Sequence, residues 1–117
     1  MSLETDLHTL LTATCPRVFP DVAPGNTVRP YITWQQIGGM TINPLGNEVP
    51  DKRNAYIQIN VWSNTRNEAV QLAQAVEASL LQATVFQARP NAAHIASYDD
   101  DLLVYGTVQD FSVWATR

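Results

Sequence analysis

Between Ala55 and Leu81 two periodic patterns stand back to back, and no other stretch restricts the chain as much. The first, AYIQINVWS, sets Ile57, Ile59 and Val61 alternating with Tyr56, Gln58, Asn60 and Trp62. That is the period of a strand with two unlike faces. The second, RNEAVQLAQAVEASLL, repeats Ala69, Leu72, Ala73, Val76 and Leu80 at helical spacing. Thr65 and Glu68 stand in capping-box spacing at its start. A half-apolar strand that feeds a one-stripe helix can bury both patterns by packing one on the other. Ile57, Ile59, Val61, Leu72, Val76 and Leu80 are therefore the candidate core.

Taken from the start, Ser2 to Thr14 predicts a first helix, capped by Ser2 and striped by Leu3, Leu7, Leu10 and Leu11. Cys15-Pro16 ends it, because the residue before proline is pushed out of helical geometry. A loop follows through Pro20, Pro24, Gly25 and Pro30, with Val18, Phe19 and Val22 expected to pack against the sheet. YITWQQI is a first strand that stops at Gly38-Gly39. Beyond the central strand and helix, Phe86 to Asn91 is expected to be a connection, Ala93 to Tyr98 a third strand, and Asp99-Asp100-Asp101 a turn. A fourth strand is expected from about Tyr105 to Ala115. The order is helix, strand, strand, helix, strand, strand. It predicts one two-layer α+β domain over residues 1–117, with a mainly antiparallel four-stranded sheet and two helices on one face.

Two features lie outside that core. Met40 to Asn54 has no periodicity, two prolines and mixed charges, and it joins the hairpin partners by a loop far longer than the usual two to five residues. Loops of this kind are usually either functional or disordered excursions without a role. Tyr56 and Trp62 share the polar face of the central strand, and Trp114 repeats the placement in the last one. With both helices on the other side, nothing in the chain is expected to cover these rings. That predicts an interface.

The chemistry of the remaining residues excludes more than it suggests. His8 and His94 have no metal-ligand spacing, Cys15 has no histidine beside it, and the three consecutive aspartates alternate in direction. Gly38-Gly39 lacks the lysine and the following helix of a phosphate loop. No nucleophile, base and orienting group assemble, so neither an enzyme nor a cofactor or metal site is expected. Net charge is −4 with seven scattered basic residues, which does not suit backbone binding to nucleic acid. No run reaches a membrane span, no secretory signal opens the chain, and the single cysteine suits a reducing cytoplasm. Charged residues make up 15%, below the typical ~25%. Amides and hydroxyls fill the difference, giving a surface that leaves water more readily than one of ions.

Three blocks, Pro30-Tyr31-Ile32-Thr33-Trp34, Tyr56 to Ser63 with the helix from Thr65, and Gln109 to Trp114, resemble the tail-completion proteins of long-tailed bacteriophages and prophages. That group also resembles the tail terminator of phage lambda. The resemblance spans nearly the whole chain. It implies a structural protein of the virion tail, assembled in the host cytoplasm as a ring, expected to be a hexamer, on the head-proximal end of the tail tube. The implied partners are other copies of the chain, the tail tube protein and the head–tail connector, with DNA only as passing cargo and no cofactor. An acidic balance would suit a channel through which DNA slides. The long loop is expected to reach neighbours, so Met40, Asn43, Leu45, Glu48, Asp51, Lys52 and Arg53 join Tyr56, Trp62 and Trp114 as candidate interface residues. The competing expectation is a small-ligand or peptide-binding domain whose pocket is the aromatic sheet face.

Overall fold

The computed structural model describes residues 2–117. Helix α1 (Leu3–Thr14) leads into the short strand β1 (Val18–Pro20) and then β2 (Tyr31–Gly38). Strand β3 (Lys52–Ser63) runs straight into α2 (Arg66–Leu81), and β4 (Gln87–Pro90), β5 (Ile95–Asp99) and β6 (Val104–Thr116) complete the chain. The sheet has six strands in the order β1-β2-β3-β6-β4, with β5 also paired to β6. Strands β4 and β5 lie one after the other along the same side of β6, facing residues 111–114 and 104–108.

The expected helix and strand segments are all present, but the four-stranded antiparallel sheet needs correcting. Strand β1 pairs with β2 in parallel, so the sheet is mixed. Three residues between prolines cannot display a period, and Val18 is buried while Val22 is 77% exposed, so Val22 does not pack on the sheet. The expected connection at Phe86 to Asn91 contains β4, an edge strand whose Pro90 sits at its last position, where no donor is needed. The third expected strand is shifted to Ile95–Asp99. The long loop ends at Asp51 instead of Asn54, since Lys52, Arg53 and Asn54 already pair with Thr116, Ala115 and Trp114.

Both helices cover one face. Leu3, Leu7 and Leu11 of α1 and Ala69, Ala73, Val76 and Leu80 of α2 meet Ile57, Ile59, Val61, Phe111 and Val113 in a single core, with Leu72 half-buried at its margin. The caps follow the sequence. Ser2 Oγ accepts from Thr5 N at 3.1 Å, and Thr65 Oγ1 accepts from Glu68 N at 3.2 Å. The Glu68 carboxylate takes the buried Ser63 hydroxyl, which in turn accepts from Thr65 N at 3.4 Å. The capping box is thus closed through Ser63, a strand residue, and fixes the angle at which β3 hands over to α2.

Truncating the centre of this core with Phe111→Ala should cost about 3–5 kcal/mol. Removing the α2 cap with Thr65→Ala should cost about 1 kcal/mol. Urea denaturation of the two variants beside the parent chain checks both.

Candidate assembly surface

The sheet face opposite the helices is built by every second residue of β3 and β6. Asn54, Tyr56, Gln58, Asn60 and Trp62 lie across from Trp114, Ser112, Asp110, Val108 and Gly106. Strand β2 extends the rows with Gln35 beside Gln58, Thr33 beside Asn60 and Tyr31 beside Trp62. The middle of the face is therefore three amides and a hydroxyl beside the Asp110 carboxylate and Val108. Gln35 Nε2 donates to Gln58 Oε1 at 3.4 Å, and one carboxylate oxygen of Asp110 is buried without a hydrogen-bond partner.

The aromatics sit at the ends of the face. Trp62 and Trp114 belong to rows eight residues apart along the ladder, a separation of about 26 Å at strand rise. Tyr56 is one diagonal step from Trp114, while Trp62 is joined by Tyr31 and, beyond it, Phe19, whose ring meets Tyr31 edge-on at 6.5 Å. Three aromatics converging on one pocket, as the ligand-binding expectation requires, do not occur. Trp62 lies flat over Gly106, where an added Cβ would come within 2.7 Å of its ring. A glycine inside an otherwise alternating strand is a sequence signal of such close approach.

The ends also differ in what borders them. Residues 21–29 curl beside the Trp62 end and leave a cleft of about 490 Å³ lined by Pro24, Arg29, Tyr31, Thr33, Asn60 and Trp62. Part of the face expected to be bare thus has a neighbour in the chain. Arg29 pins this region by donating to the Leu102 and Leu103 carbonyls and to Asn64 Oδ1, at 2.8, 3.4 and 3.2 Å. At the other end the loop that begins at Gly39 departs from beneath Asn54. The Gly39 φ of +155° and the contact a Cβ would make with the Asn54 carbonyl leave room only for glycine. Buried Asn54 holds the loop: its Oδ1 accepts from Met40 N at 2.8 Å, and its Nδ2 donates to Ser112 Oγ at 3.0 Å and the Val113 carbonyl at 3.3 Å.

Of the loop residues expected at an interface, Met40, Asn43, Leu45, Glu48 and Asp51 are exposed. Lys52 and Arg53 belong to β3 and point to opposite sides. Arg53 turns to the helix layer, meeting Glu4 Oε1 at 2.9 Å and Gln36 Oε1 at 2.9 Å. Burial opposes the Glu4 charge, but a backbone hydrogen bond and the Arg53 guanidinium outweigh it and hold the carboxyl below its ordinary range. The pair therefore stabilises the fold above the ordinary glutamate range and fades as pH falls through the lowered value. Both partners are partly exposed, so its contribution is small. Lys52 lines a cleft of about 600 Å³ with Met40, Ile42, Pro50 and Arg117. Cys15 is buried, its thiol donating to the Pro30 carbonyl, and His8 is exposed on α1.

A model of the family described as Tail completion protein gp17 matches residues 3–116. Among the solved structures that match, one does so at a TM-score of 0.54 and 14% identity, covering 99% of this chain and 97% of the other, which is a likeness of fold alone. No curated protein matches the chain.

Gly106→Ala should destabilise the protein by about 1–3 kcal/mol, since the Trp62 ring has to be displaced to admit one methyl group. Thermal unfolding followed by tryptophan fluorescence reads both the loss and the changed surroundings of the ring.

Proposed function

The chain belongs to the Tail completion protein gp17 family, a phage tail structural family, and from that premise we propose that it forms a ring on the head-proximal end of the tail tube. In this reading the ring stops tube polymerisation and presents the surface that joins the tail to the head connector. The observation that carries the proposal is the sheet face without helices. Its centre is mainly uncharged, with Gln35, Gln58, Thr33 and Asn60 beside the single Asp110 carboxylate, and its ends carry aromatic anchors. Such a face suits an assembly that forms from a folded monomer, because it is polar enough to stay dissolved and cheap enough to desolvate.

Copies related by rotation would each set one patch against a different patch of the neighbour, and closing the circle ends growth. The loop over residues 40–51, tied at its two ends by Asn54 to Met40 N and by Arg117 N to the Asp51 carbonyl, suits a contact made after docking. Tail tube protein and connector would then meet opposite rims of the ring. The net charge of −4 would keep DNA from adhering as it passes through.

Electron microscopy of tail tubes assembled with and without the protein tests the proposal. Capped tubes of limited length are expected with it and uncapped, overgrown tubes without it. Trp114→Ala should weaken capping at least tenfold, about 1.4 kcal/mol of assembly energy, while the melting temperature changes little, and Trp62→Ala, whose ring also packs over Gly106, should weaken capping by more than it weakens folding. Equal loss of folding and capping would place the two indoles in the fold rather than in the assembly. Deleting residues 41–49 should leave the monomer folded and the tail unable to join a head. A deletion variant that unfolds would assign the loop to the core.

A further inference from the structure

The two ends of the molecule, separated along a long axis of 52 Å, are complementary to one another. At one end the β5–β6 turn forms a rigid knob. Asp99 Oδ1 accepts from Asp101 N at 3.0 Å and from Leu102 N at 3.1 Å, and Arg29 grips the Leu102 and Leu103 carbonyls from below. The Asp100 and Asp101 side chains are left exposed beside Leu102 and Leu103, themselves 56% and 67% exposed. At the other end the cleft of about 600 Å³ has the converse character. Lys52 and Arg117 supply exposed cations, and Met40, Ile42 and Pro50 supply an apolar wall. Arg53 is already engaged by Glu4, so Lys52 and Arg117 are the cleft's available charges.

We propose that the Asp100–Leu103 knob of one copy inserts into the Lys52–Arg117 cleft of the next. The inference rests on the ring reading above and names one self-contact within it. Two carboxylates meet two cations, and two leucines meet the Met40, Ile42 and Pro50 wall. Charge would orient the encounter and the apolar pair would retain it. The contact joins unlike patches at opposite ends, which makes it heterologous and capable of propagating around a ring. The knob is preformed by the Asp99 turn and the Arg29 clamp and the cleft floor by β3, so only the loop wall of Met40, Ile42 and Pro50 has to order on contact.

Lys52 is the only lysine in the chain, which permits a direct test. Zero-length carbodiimide coupling joins a carboxylate to an amine only when they touch. Applied to the protein assembled on tail tubes, it should give a covalent ladder of copies, with mass spectrometry placing the link between Lys52 and Asp100 or Asp101. Lys52→Arg keeps the charge and should abolish this link while rings still form. Asp100→Asn with Asp101→Asn should lower ring occupancy on tubes at least tenfold without unfolding the monomer. Rings that form normally yet give no Lys52 link to the aspartates would overturn the knob-and-cleft contact and leave the ring reading standing. Absence of rings on tubes in the parent protein would overturn both.

Discussion

The β3–β6 ladder is the constraint on which the rest of the structure depends. Twelve consecutive residue pairs, from Lys52↔Thr116 to Ser63↔Tyr105, hold the two longest strands together without a break. Their alternation forces Ile57, Ile59, Val61, Phe111 and Val113 to one side and Tyr56, Gln58, Asn60 and Trp62 to the other. A register slip by one residue would exchange the two sets, so the hydrophobic pattern fixes the pairing. The described residues form two helices, of 12 and 16 residues, and both lie on the apolar side. The second side is left without helical cover, bordered only at its Trp62 end by residues 21–29.

That asymmetry accounts for where assembly chemistry can reside. The uncovered face is not an apolar patch, which would drive indiscriminate association. It is an amide field with rings at its two ends and a single buried carboxylate oxygen at Asp110 that lacks a donor. The devices at each end of the long strands complete the picture. Asn54 and Gly39 launch a loop at the first, and Arg29 stiffens a turn at the second. Membership in a tail completion family gives these otherwise unconnected features a common context, that of a structural protein of the phage tail.

Where the sequence was legible, it was so for physical reasons. Alternation over nine residues and a stripe over sixteen cannot easily be mistaken, and both the central strand and α2 appear where their periods put them. The caps at Ser2 and Thr65 were readable because a hydroxyl at that position has one useful partner. Strands β1 and β4 were not readable, since three or four residues bounded by proline carry no period and exist only because β2 and β6 offer free edges. Lys52, Arg53 and Asn54 read as loop because they are charged or polar. Their place in β3 is set by tertiary partners: Glu4 for Arg53, and Met40 N with Ser112 for Asn54. The aromatic face was correctly placed on the side away from the core, but a face says nothing about position along the strand. The separation of Trp62 from Trp114 emerges only from the register.

The central claim is that the helix-free sheet face becomes buried in the assembled tail while the helix face stays as it is. Hydroxyl-radical footprinting of the free protein and of the protein on tail tubes tests it most directly. Trp62, Trp114 and Tyr56 should lose most of their labelling on assembly. Trp34, only 8% exposed, should stay weakly labelled in both states, and His8 on the outer side of α1 should stay strongly labelled. Unchanged labelling of Trp62 and Trp114 on capped tubes, with protection appearing on α1 and α2 instead, would contradict the account.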